Sequence, residues 1–347
     1  MTRPGDAGGR SHTSRAVRTA LAAFALAALG CGGDVGSDHH WRFALEEIRG
    51  SVQHACAERF RERIEAGSGG RVRVSIFPYG TLGTSTQIAE QLQSGALQLA
   101  FASPGHLGSV VPEVQVFSLH FVFPEEAEEL RRLLRDERLL APLRAAYREH
   151  RLALLAVVSE GWMVWSGNKP LTSPDDFAGF KMRTMASPLL VEAYRAYGAN
   201  PTPLPYAEVY GALQLGMVDG QVNPIFAIAE MGFHEVQDVL TAARHLPFVT
   251  TLAAHPRFLD GLAPDLRALL DEATAELHDH AFEVERRLNR ERLEQILAAG
   301  GTRLVRLSEL ERAAFRARSL PVRDRYLELA GARGARILEV LDEARDS

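Results

Sequence analysis

Cysteine is scarce in this chain of 347 residues: there are two, Cys31 and Cys56. Two cysteines cannot build a disulfide framework or a four-thiolate metal site. Cys56 shares a four-residue spacing with Val52, Phe60 and Ile64, so it belongs to the apolar stripe of a helix and reads as a small core residue. Long apolar runs are missing too. The run TALAAFALAALG at 19–30 is too short to cross a bilayer, and no later stretch approaches the length of a span. There is no basic stripe either. The formal net charge is −5, and four of the arginines (Arg3, Arg10, Arg15, Arg18) sit in the first thirty residues. What remains is an acidic body with no footprint for nucleic acid.

Signatures of catalysis are equally thin. No HExxH and no G-x-S-x-G occurs, and GSGG at Gly67 follows a helix instead of opening one, so it is no phosphate loop. Twelve histidines invite a search for metal sites. His278 and His280 fall on different helix faces and His39-His40 sits in a linker, so both groups read as solvated. Internal repeats and low-complexity tracts are absent.

What is present is ordinary globular composition, 46% hydrophobic and 24% charged, at a length that suits one large or two medium domains. Basic residues followed by the short apolar run have the form of an export signal over residues 1–31. Cys31 comes directly after AALG, which resembles a bacterial lipoprotein processing site, with Ala28 where leucine is usual. The expectation is an exported chain lipidated at Cys31; the plainer alternative is ordinary export with an incidental cysteine.

Further on, WRFAL reads as a strand ending at Glu46 and Glu47, and a helix follows over 51–66. RVRVSIF alternates with period two, the pattern of a strand with one buried face. Thr84 or Ser85 can cap the next helix, and LQLAFA is another strand. Strand-helix-strand-helix-strand is the order of an α/β sheet. One charged helix is expected over 125–150, then the buried strand RLALLAVVSE, then a short strand bearing Lys181 and Arg183. SPLLVEAYRAYGA is a helix capped by Ser187, and NPTPLP is held extended by its prolines. FVTTLAAHP returns as a strand, and long charged helices close the chain.

Two features suggest ligand binding. Arg183 lies at the end of a strand, where ligands of α/β sheets bind, and a guanidinium there can clamp a carboxylate with two parallel hydrogen bonds. A surface arginine paired with Asp175 or Asp176 is the competing reading, and both stay open. In YAEVYGALQLGMVDGQVNP at 206–224, Val209, Leu213 and Met217 have core spacing, Asp219-Gly220 suits a turn, and Asn223 before Pro224 could aim its amide at a ligand.

The stretch GFKMRTM…NPTPLPYAEVYGALQLGMVDGQVNPI closely resembles the signature region of TRAP-transporter solute-binding proteins of the DctP type. SGGRVRVSIFPYGTLG and LQSGALQLAFASPGHLG match that family as well, and the resemblance spans 41–280. It implies a periplasmic, non-enzymatic receptor with a two-lobe α/β fold of the periplasmic-binding-protein kind, hinge strands near Ser159 and Phe248, and long C-terminal helices. Lobe I would be 32–160 plus 249–288, and lobe II 161–248 plus 289–347. No cofactor is implied. The partners would be a small organic carboxylate and the small and large TRAP membrane subunits, with membrane contact only through the lipid anchor or the transporter.

By resemblance, Arg183 pairs with the ligand carboxylate, Asn223 hydrogen-bonds it and Tyr206 packs on it. Glu46, Glu47, Thr84, Gln87 and Ser103 would face the cleft from the first lobe. Where many members carry a second arginine, this chain has Met163, beside Trp162. That departure points to a monocarboxylate, either zwitterionic or bulkier and apolar; Glu160 and Glu47 could meet a ligand amine, with Trp162 stacking on it. The plainer alternative pairs Glu160 with a protein cation and leaves Met163 in the wall. An ABC importer or a sensor kinase as recipient, or an exported α/β enzyme, are the rival functions.

Overall fold

The computed structural model describes residues 39–346; the export segment and Cys31 lie outside the described residues. Ten strands occur among them: β1 (His39–Ala44), β2 (Val72–Phe77), β3 (Leu99–Ala102), β4 (Ala153–Gly167), β5 (Lys181–Thr184), β6 (Asn200–Pro203), β7 (Gly220–Pro224), β8 (Val239–Ala242), β9 (Pro247–Ala254) and β10 (Arg303–Arg306). Their order is β2-β1-β3-β9-β4-β7-β5-β6, with β8 beside β4 and β10 beside β8. Fifteen-residue β4 belongs to both halves of this array. Its residues from Ala153 to Trp162 pair antiparallel with β9, and those from Met163 to Gly167 pair antiparallel with β7. The change of partner falls beside the segments expected to be hinges, and the pairing of β4 with β9 shifts register between Ser159 and Gly161.

Helices cover both halves. In the first, Ser51 caps the helix Val52–Gly67 by accepting from the His54 N–H, and its buried face carries Val52, Cys56, Phe60 and Ile64, as the spacing indicates. That face packs with Phe43 on β1 and with Leu266, Leu270 and Leu277 of the 36-residue helix Pro264–Ala299. Burying such residues is the main stabilising term, ~2 kcal/mol per large apolar side chain. In the second half, Ser187 caps Pro188–Ala196 through the Leu190 N–H. The helix Glu309–Arg345 is kinked at Gly331 and touches both halves. Its Phe315 ring lies 4.9 Å from that of Trp165, and its Tyr326 hydroxyl donates to Glu113 O at 3.1 Å.

Several local expectations are corrected. The helix expected over 125–150 is two, Ala127–Leu133 and Glu137–Glu149, because Asp136 accepts from the Arg138 N–H and starts a new helix. The segment 206–217 holds only a 3₁₀ turn, Tyr206–Glu208, and the short helix Val209–Gln214. Val209 and Leu213 are buried, but Met217 is 61% exposed and leaves the stripe. Asp219-Gly220 makes no turn. It opens β7, where Asp219 accepts from the Lys181 N–H at 2.8 Å. Gly220 is needed there for close approach, since a Cβ would sit 2.1 Å from Ser166 O. His39 and His40 belong to β1 and not to a linker. His278 is buried, its Nε2 3.3 Å from Arg131 O. β8 and β10 had no clear sequence signal.

Candidate functional site

Arg183 stands on β5, which pairs in parallel with both β6 and β7. It is 1% exposed. Its Nε and Nη2 both donate to Leu204 O, at 3.1 and 2.7 Å. No carboxylate pairs with it among the described residues. Asp176 instead accepts from the Thr172 and Ser173 N–H groups, so the reading of Arg183 as a surface arginine held by that loop is corrected. Burial pulls its pKa down to about 10, which leaves it charged at any physiological pH. A buried cation without a counter-charge is costly, and a buried donor without an acceptor is too.

Around Arg183 the fold assembles a small cavity of about 30 Å³, room for a few water molecules. Asn223 reaches it from β7, buried, with its amide donating to Gln221 Oε1. Tyr206 reaches it from the 3₁₀ turn, its ring edge-on to Tyr79 at 5.7 Å and to Phe233 at 6.0 Å. Phe248 and Met185 supply apolar wall.

Glu46 and Glu47 enter from the end of β1, and Ser103 from the end of β3. Gln53, on the first turn of the helix after them, ties this acidic side together. It accepts from the Glu46 N–H at 2.9 Å, donates its own N–H to Glu47 Oε2 at 3.3 Å, and donates its amide to Glu160 Oε1 at 3.1 Å. Glu46 Oε2 also accepts from the Ser103 N–H at 2.6 Å.

These carboxyls are crowded and dry. Burial raises Glu46 to about 8. Burial, and then the charge of Glu160, raises Glu47 well above the usual carboxylate range. Burial raises Glu160 to about 7 and Glu230 to about 8. The cavity thus sets one open cation against a bank of poised acids.

Glu46, Glu47, Ser103, Arg183, Tyr206 and Asn223 line this cavity together. Thr84 lines an adjoining one of about 140 Å³ with Tyr79 and His106. The other residues singled out lie elsewhere. Gln87 closes a capping box with Thr84, accepting from the Thr84 N–H at 2.9 Å. Met163 is fully buried in the core, opposite Pro224. Trp162 lies under the Arg244 guanidinium at 6.0 Å. Glu160 stands behind the wall on Gln53, so a protein cation does not claim it. Gln53, His106, Met185 and Phe248 were missed. Gln53 had a faint signal, one turn into a helix that starts beside two glutamates; the others had none. No group of His, Cys, Asp or Glu among the described residues could hold a metal ion.

Comparison with known proteins bears on the family and the fold. The model of the bacterial extracellular solute-binding proteins, family 7 (DctP), matches residues 43–329. The chain is 38% identical to the ectoine-binding periplasmic protein TeaA of Halomonas elongata, over 86% of this chain and 88% of TeaA. It is 36% identical to the ectoine/5-hydroxyectoine-binding periplasmic protein UehA of Ruegeria pomeroyi, over 92% and 93%. Among solved structures, a TRAP periplasmic solute-binding protein of Marinobacter aquaeolei VT8, in an apo open state, is 51% identical with a TM-score of 0.83, covering 87% of this chain and 99% of that one.

Proposed function

The chain belongs to family 7 of the bacterial extracellular solute-binding proteins, and from that premise we propose that it is the receptor of a TRAP transporter for a zwitterionic monocarboxylate. One observation carries this reading: Arg183 is buried with only a carbonyl for a partner. A ligand carboxylate would complete it with two charge-assisted bonds, and Asn223 would fix the carboxylate's orientation. Tyr206 and Phe248 would flank the ligand body. Glu46 and Glu47, backed by Glu160, would face its cation.

Relatives named for ectoine support the ligand class, because ectoine carries one carboxylate and a flat, delocalised cation. The cavity lining supports it too: Arg183 is its one arginine among the described residues, so no second guanidinium stands there to meet a dicarboxylate. The cavity is far smaller than such a ligand, so binding requires the two lobes, 32–160 plus 249–288 and 161–248 plus 289–347, to part and close again about β4 and β9. Closure is driven by contacts that only the closed state makes. Export by residues 1–31, lipidation of Cys31 and delivery to small and large membrane subunits complete the proposal. The periplasmic relatives agree with export.

Calorimetric titration with ectoine, succinate and acetate tests the reading. Ectoine should bind most tightly, and succinate should show no advantage over acetate. Tight binding of succinate without binding of ectoine would overturn the monocarboxylate assignment.

A further inference from the structure

Buried polar atoms without partners are rare in folded proteins and need a reason. In and behind this cavity His106 Nδ1 and Glu230 Oε1 lack one. The glutamate oxygen belongs to the acidic side already described. Ser103 borders that side through Glu46; His106 does not belong to it. Both sit on one short turn, where His106 N–H donates to Ser103 O at 3.0 Å. Both line the cavity that holds Arg183, and His106 also lines the adjoining one with Tyr79 and Tyr206.

We propose that His106, assisted by Ser103, reads a hydroxyl group placed next to the ligand's carboxylate, so that this receptor prefers hydroxylated carboxylates over their unsubstituted counterparts. The inference rests on Arg183 as the carboxylate anchor. Burial, and then the Arg183 charge, hold the imidazole neutral, its pKa lowered to about 4. A neutral imidazole nitrogen is a donor or an acceptor depending on tautomer. A carboxylate oxygen can answer only the first state and an ammonium only the second. A hydroxyl answers both, and it can at the same time pair with the Ser103 hydroxyl. In this closed arrangement the turn sits against the strand of Arg183: a Cβ at Gly105 would be 2.5 Å from Sδ of Met185, two positions beyond Arg183.

Two matched pairs of probes test this, each hydroxylated member carrying its hydroxyl on the carbon next to the one that bears the carboxylate: 5-hydroxyectoine against ectoine, and 3-hydroxypropionate against propionate. Calorimetry on the wild type should give the hydroxylated member of each bound pair a roughly 5- to 10-fold advantage, the worth of one well-made hydrogen bond. His106→Phe should collapse that ratio to about one, and His106→Gln should restore part of the preference. A wild-type ratio of one overturns the assignment, as does a ratio that survives His106→Phe. Loss of ectoine and 5-hydroxyectoine binding alike in a folded His106→Phe also overturns it, since the ring would then serve the carboxylate itself. If no probe binds the wild type, the carboxylate reading falls and this one falls with it.

Discussion

Arg183 and Arg333 are both cations at least partly withdrawn from solvent, yet they are treated in opposite ways. Arg333, on the C-terminal helix, is 25% exposed and lies between Glu113, at 2.6 Å, and Glu149. Arg183 is deeper, in the middle of β5-β6-β7, and receives one carbonyl. The fold has no shortage of carboxylates: Glu46 and Glu47 line the same cavity as Arg183. They are held away, on the other half of the sheet, by Gln53 and the Ser103 backbone. Where charge serves structure the ion pair is finished within the chain, and where it serves binding the pair is left for the ligand to finish.

Removing one carboxyl of the acidic bank is the larger of two ways to probe this contrast. Glu160 has its pKa raised to about 7 by burial. A carboxyl that binds its proton more tightly when folded favours the folded state below its unfolded pKa, near 4.5. That advantage is lost as pH rises through about 7. Glu160→Gln removes the penalty, so the ligand-free variant should be more stable than the wild type by on the order of 2 kcal/mol at pH 8 and equal to it at pH 4. Thermal melts at the two pH values check it; equal stabilities at pH 8 would show that Glu160 is not charged against its surroundings. The smaller effect belongs to Arg333. Arg333→Ala should lower stability by about 1 kcal/mol, the scale of a partly exposed ion pair, and leave ectoine affinity unchanged in calorimetry. A change in affinity would mean that the C-terminal helix sets the closed state instead of only bracing it.

The sequence showed one side of the cavity better than the other. Arg183, Tyr206 and Asn223 come from a single stretch of some forty residues whose local chemistry is distinctive, and the structure brings them together. Glu46, Glu47 and Ser103 were reached through the resemblance, and their place just past strand ends fits where ligand cavities form in α/β sheets. The β4 residues were misplaced for a physical reason. Trp162 and Met163 were placed in the cleft by resemblance alone, and the strand has a register shift between Ser159 and Gly161, just before them, that a match of sequence does not reveal. Met163 turned into the core. Phe248 and His106 arrive through pairings between distant segments, β9 against β4 and a tight turn packed on Met185, which no local pattern encodes. Asp219-Gly220 misled because glycine serves close packing as well as turns, and only the neighbour at Ser166 distinguishes the two.

The central claim is that Arg183 keeps its charge free for a ligand carboxylate, and titrating ectoine into the Arg183→Ala variant beside the wild type tests it most directly. The expected result is at least a 100-fold loss of affinity, from the loss of a doubly hydrogen-bonded, buried charge pair. The ligand-free variant should also melt no lower than the wild type, because an uncompensated buried cation has been removed. Affinity within about threefold of the wild type in a folded variant would contradict it.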